Sequence, residues 1–246
     1  LAILSRTLLT IAIAASVAGT PSAARAEVTL NSLCSDGAVL QQGVPVPVWG
    51  TAKDGEKVTV KFLQQTVSAT AKDGRWLVRL KPLKAGGPFT LTVTGDNNSV
   101  VISNVLVGEV WLASGQSNMA FPLSRAANGT EAIAAAGDRR LRLFTVPRGA
   151  EDTPRTDADG NWQESSPETT AKFSAVAWFF GRDLRKALRV PVGLIHSSVG
   201  GTPAEAWTSR AALEADPELK PIVERYAASF KNYDPEAAAA RYQRAL

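Results

Sequence analysis

The 246-residue sequence predicts an α/β protein in two parts, a small N-terminal β-sandwich followed by an α/β layer domain. Three observations carry that expectation. From Val28 to about Val105 the chain falls into short segments of alternating apolar and polar residues, separated by turn signals, with no window long enough for a helix. From Leu106 to Ala113 the apolar residues run almost without a break, as in a strand buried on both faces. Beyond that run, strand and helix patterns alternate, which is the order that lays helices on a parallel sheet.

Taken in order, residues 1–26 read as an export signal. Arg6 precedes an apolar run from Leu8 to Ala18, shorter than the roughly 20 residues that cross a bilayer, and Ala24-Arg25-Ala26 fits a small-x-small cleavage site. The mature chain is expected to start at Glu27, to be periplasmic or extracellular, and to keep no stable membrane anchor after cleavage. Residues 27–105 form the expected β-sandwich domain. Val58, Val60 and Phe62 alternate with polar residues, Trp76, Val78 and Leu80 follow the turn Lys72-Asp73-Gly74, and Phe89, Leu91 and Val93 precede the turn Gly95-Asp96-Asn97-Asn98. The single cysteine, Cys34, has no partner for an internal disulfide and is expected to be a small, half-buried residue near a strand.

Residues 106–246 form the expected α/β domain. Its strands are Leu106–Ala113, Leu141–Val146 and Val192–Ile195. Phe173, Val176, Ala177, Phe180, Leu184 and Leu188 recur at helical spacing and predict an amphipathic helix that covers the sheet. Three strands are fewer than the five or so of a doubly wound sheet, and the Ala-, Glu-, Lys- and Arg-rich tail from Ala211 to Leu246 carries no helix stop signal. The domain is therefore expected to be partial, its C-terminal part lying beyond this sequence.

Charge and composition exclude some classes of function. The formal charge is +4, and without Arg6 and Arg25 there remain 25 basic against 23 acidic residues, or +2. The basic residues are interspersed with acidic ones and form no stripe, so no nucleic-acid partner is expected. One histidine and one cysteine, far apart in sequence, do not make a zinc site.

Two loops carry the candidate chemistry. The first, Ser114-Gly115-Gln116-Ser117-Asn118-Met119, follows the apolar strand at what would be the carboxyl edge of a parallel sheet, where open α/β folds bind ligands. Gly115 permits a tight turn, and Ser117 would project as a nucleophile must. On these residues alone the serine could equally cap the following helix. The second, Ser197-Ser198-Val199-Gly200-Gly201-Thr202-Pro203-Ala204-Glu205-Ala206-Trp207, follows the third strand. Thr202 as N-cap, Pro203 at the first helical position and Glu205 at the third predict a capping box, with the glycines able to turn an N–H toward developing negative charge.

Val107-Gly108-Glu109-Val110-Trp111-Leu112 followed by Gly115-Gln116-Ser117-Asn118-Met119 resembles the signature of the sialate O-acetylesterases, a family of SGNH hydrolases. Ser35-Asp36-Gly37-Ala38-Val39-Leu40-Gln41 and Val46-Pro47-Val48-Trp49-Gly50 resemble that family's N-terminal β region. The resemblance implies an SGNH-type (flavodoxin-like) hydrolase domain that removes O-acetyl groups from carbohydrate, without metal or organic cofactor. It implies Ser117 as nucleophile, the N–H groups of Ser117 and of Gly201 or Gly200 as oxyanion donors, and Gly115, Gln116 and Asn118 as supporting residues. Family members carry their catalytic His near the C-terminus, shortly after an Asp, together with a Gln-Gly-Glu-x-Asn-like block. Neither is present here, so His196, the only histidine, is expected to be a hydrogen-bonded scaffold residue and the base to lie beyond Leu246. The substrate alternatives are acetylated xylan or another plant glycan. The alternative of another class is an inert glycan-binding protein.

Overall fold

The computed structural model describes residues 27–149, 153–231 and 233–237, so the signal-peptide expectation for residues 1–26 lies outside the described residues. The chain opens with seven strands, β1 Val39–Gln41, β2 Val46–Thr51, β3 Lys57–Phe62, β4 Gln65–Thr70, β5 Arg75–Leu80, β6 Gly86–Thr94 and β7 Ser99–Gly115. There follow helices α1 Ser117–Ala120 and α2 Gly129–Ala134, strands β8 Asp138–Thr145 and β9 Trp162–Ser165, helices α3 Pro167–Thr170 and α4 Ala175–Leu188, strand β10 Val192–Ser198, and helices α5 Arg210–Ala215 and α6 Lys220–Lys231. No helix among the described residues is long and apolar enough to cross a membrane.

One mixed sheet organises the molecule, in the order β4-β3-β6-β7-β10-β8-β9, with β1 added parallel to β7. Its β4-β3-β6-β7 part is antiparallel, β7, β10 and β8 are mutually parallel, and β9 closes the far edge antiparallel to β8. Strands β2 and β5 form a separate antiparallel pair. Alternation explains the packing. Val58, Val60 and Phe62 of β3 and Trp76, Val78 and Leu80 of β5 point into one shared core, while their polar neighbours face outward. A second core lies between the parallel strands and α4, built on Leu141, Leu143, Leu194, Phe173 and Trp178. A third, on the opposite face, joins Val39, Leu106, Phe144 and Trp162.

Arg142 ties these regions together. Its guanidinium, buried inside β8, donates to the carbonyls of Arg139 and Gly37 at 2.8 and 3.3 Å and to Asn104 Oδ1 at 2.9 Å, and lies 3.3 Å from a Glu164 carboxylate oxygen. Burial pulls its pKa below the usual guanidinium value, and Glu164 opposes the pull. Each of the three nitrogens has a partner, as a charge in the interior requires.

Several expectations are corrected. Strand β7 is not buried on both faces: Trp111 and Leu112 are 45% and 66% exposed. The reason is pairing, since among the described residues the stretch Glu109–Gly115 is hydrogen-bonded to β10 on one side only. Strand β7 also continues without interruption through positions 105 and 106. Helix α4 lies where the periodicity puts it but turns a different face to the sheet. Ala177, Trp178 and Gly181 are buried, whereas Val176, Phe180 and Leu188 are exposed. At Gly181 a Cβ would stand 2.6 Å from Leu194 Cδ1, so the helix packs there through its smallest residue. Cys34 is fully rather than half buried, and burial pushes its thiol pKa up to about 12.

Candidate active site

Strand β7 ends at Gly115, whose φ of +137° lies in the region that glycine tolerates and L side chains rarely adopt. That reversal turns the chain out of the sheet and into the single helical turn of α1, which begins at Ser117. Ser117 is exposed at the carboxyl end of the parallel strands, where Gly115 pairs with Ser198 at the end of β10. The strand-end placement read from the sequence is thus present in the structure, as is the tight turn at Gly115.

Gln116 caps the turn through its side chain. Its Oε1 accepts from the Ser117 backbone N–H at 3.0 Å and from the Ser117 hydroxyl at 2.7 Å. One amide oxygen therefore holds both groups of Ser117 that acyl transfer would use, the nucleophilic hydroxyl and the N–H suited to an oxyanion. Asn118 is exposed, and its carbonyl accepts a long bond from the Phe121 N–H at 3.4 Å.

The glycine loop comes to the same place. The Val199 N–H donates to the Gly115 carbonyl at 3.1 Å, extending the β7–β10 ladder by one bond, and a Cβ on Gly200 would stand 3.5 Å from Ser117 Cα and 3.6 Å from its Cβ. Gly201 adopts a left-handed φ of +80° with open space where a Cβ would be. The structure thus brings Gly200 so near Ser117 that a side chain there would be in van der Waals contact with it, with Gly201 the next residue along.

The capping box expected at Thr202 does not form. The Thr202 hydroxyl instead donates to the Val199 carbonyl at 2.7 Å and accepts from the Trp207 indole N–H at 2.8 Å, and makes no bond to a helix N-terminus. Pro203 is extended and only a single 3-10 turn, Ala204–Trp207, follows. Among the described residues no α-helix starts at the glycine loop, and oxyanion stabilisation there would rest on local N–H groups.

His196 behaves as a scaffold residue. It is 7% exposed, its ring meets Phe173 edge-on at 5.2 Å, and its Nε2 is 2.5 Å from Ser198 Oγ. Burial and the charge of Arg148 push its pKa below the ordinary imidazole value, so the neutral ring is favoured. The Ser117 hydroxyl is bonded to Gln116 and the ring to Ser198, so the two residues do not form a nucleophile–base pair. Ser198 is the residue that sequence reasoning passed over. The signal was available, because period two along β10 puts positions 196 and 198 on one face.

No family model matches the chain. It is 33% identical over 207 residues to the sialate O-acetylesterase of Rattus norvegicus, covering 71% of this chain and 38% of that protein. It is 35% identical over 188 residues to the Homo sapiens sialate O-acetylesterase, covering 68% of this chain and 36% of that protein. A crystal structure of a carbohydrate acetylesterase from Xanthomonas citri superposes with a TM-score of 0.73 at 41% identity, covering 76% of this chain and 43% of the other. The chain spans a little over a third of the length of the curated relatives that it matches.

Proposed function

Over the portion of those proteins that it spans, the chain belongs to the sialate O-acetylesterase family, and on that premise we propose that it carries the nucleophile and oxyanion half of a serine esterase that removes O-acetyl groups from sugars. The observation that carries the reading is the meeting of Ser117 and Gly200 at the carboxyl ends of β7 and β10.

In the proposed reaction the Ser117 hydroxyl attacks the acetyl carbonyl and its proton passes to a histidine in the part of the full-length protein that this chain does not span. The carbonyl oxygen, now negative, takes over the Ser117 N–H from Gln116 and gains a second donor from Gly201 or Gly200. Collapse expels the sugar oxygen with the proton held by the base, and water then releases acetate from the acetyl-serine.

The finer architecture belongs to the same proposal. The core shared by β2–β5 and the β4-β3-β6-β7 ribbon supports a β-sandwich for residues 27–105, and the parallel β7-β10-β8 order supports an SGNH-type, flavodoxin-like domain for 106–246. The export reading of residues 1–26 is part of the same proposal and supports a periplasmic or extracellular enzyme.

The test is hydrolysis of p-nitrophenyl acetate by the full-length protein and its Ser117→Ala variant, followed by acetate release from 9-O-acetyl sialic acid and from acetylated xylan. The variant is expected to lose at least ~10³-fold in kcat, since removal of a serine nucleophile leaves only binding and oxyanion effects. Wild-type rates in the variant would remove Ser117 from the mechanism. A second substrate reading, acetylated xylan or another plant glycan, is in keeping with the 41% identity to a Xanthomonas citri protein described simply as a carbohydrate acetylesterase, and preference for xylan over sialate would select it.

A further inference from the structure

His196 and Ser198 form a buried polar pair inside an otherwise apolar layer. Both face the core between β10 and the helices, and both are 7% exposed. Their partners in space are the two ends of the candidate site. Ser198 pairs across the ladder with Gly115 and lies two residues before Gly200. On its other side, His196 Nδ1 is sealed from solvent with no hydrogen-bond partner, and the Met119 backbone, two residues after Ser117 in α1, favours the protonated ring. The ring meets the Ser198 hydroxyl through Nε2 at 2.5 Å and Phe173 edge-on. Met119 itself packs on the same core and accepts the Ser174 hydroxyl at Sδ, 3.4 Å away.

Resting on the reading of Ser117 as nucleophile, we propose that the His196–Ser198 pair is a positioning device that sets the distance between the nucleophile's turn and the glycine loop. The ring is a polar spacer wedged between α1 and the end of β10. Losing it would leave the Ser198 hydroxyl unmatched in the interior, two residues before the glycine loop, whose atoms must meet the substrate. The ring does not touch those atoms and takes no proton from Ser117. It acts through the backbone, on the scale at which a displacement of about 1 Å costs about a hundredfold in rate.

The experiment uses the full-length protein as His196→Phe, Ser198→Ala and the double variant. His196→Phe keeps an aromatic ring against Phe173 and removes the hydrogen bond to Ser198. Active sites are counted by stoichiometric labelling with a fluorophosphonate, and kcat and KM for p-nitrophenyl acetate are then expressed per labelled site. The expected result is a kcat per site lower by about 10- to 100-fold in each single variant, KM within about twofold, and a double variant no worse than the poorer single one. A merely structural role lowers the number of labelled sites and leaves kcat per site intact. Per-site kcat within about twofold of wild type in Ser198→Ala, or losses that multiply in the double variant, overturns the proposal. Ser198→Ala decides the matter alone where His196→Phe does not fold. Failure of the underlying reading looks different: the wild-type protein is then not labelled at Ser117.

Discussion

The imidazole of His196 is held below its ordinary value near 6.5, first by burial and then by the positive charge of Arg148, with the Met119 backbone opposing. As pH falls, the unfolded chain therefore takes up a proton before the folded chain does. Stability from this residue is fully present above the ordinary imidazole value and drains away as pH drops from there toward the lower folded-state value. Between about pH 7 and about pH 5 the urea midpoint is expected to fall, and His196→Phe to fall less steeply than wild type. Equal slopes in the two proteins would show that His196 titrates alike in both states. At this scale much of the candidate site was legible. A glycine at the end of an apolar strand, followed two residues later by a serine, is a local string, and the structure turns the chain where the string says it must. The engagement of Ser117 by Gln116 was not legible, because it depends on a side-chain rotamer that no spacing encodes. Thr202 misled for the opposite reason. Its string fits a capping box, but the Val199 carbonyl and Trp207, reached only once the loop is folded, take the hydroxyl.

Helix α4 shows how an element can be found and still be turned wrongly. The apolar spacing identified its span, yet the face against the sheet is set by Gly181 and Trp178, one of which contributes nothing to a hydrophobic pattern. Trp178 is among the largest fully buried side chains, and its indole N–H donates to Ser165 Oγ at 3.1 Å. Trp178→Ala is expected to destabilise by about 3–5 kcal/mol, from the lost burial and the cavity left behind. Val176→Ser, at a 52% exposed position, should change stability by no more than about 0.5 kcal/mol. Denaturant midpoints of the two variants check the rotation of the helix, and equal losses would contradict it. Strand β9 escaped sequence reasoning because its four residues show too little alternation, and its partner Phe144 lies across a long loop.

For the whole molecule, the exposed half of β7 is the surface with the largest consequence for behaviour in solution. Trp111 meets Phe180 edge-on at 5.0 Å on one face, Leu112 is bare on the other, and no strand among the described residues covers the outer edge. An apolar, half-paired edge is a template for self-association. The 246-residue chain is expected to elute above its monomer mass in size-exclusion chromatography with light scattering, and Leu112→Lys to shift it toward monomer with little change in melting temperature. A wild-type monomer at high concentration would remove this expectation. The same strand has a second property that concerns time rather than surface. Its first half closes on β6 across a short turn, Thr94 opposite Ser99, whereas its second half waits for β10, with Glu109 opposite Val192, 83 positions later. Closing the longer loop costs about 2.5 kcal/mol more in chain entropy, from the ratio of the two separations. The two halves of one strand are thus expected to belong to different moments of folding, the N-terminal ribbon forming first and the segment leading to Ser117 waiting as a template for β10.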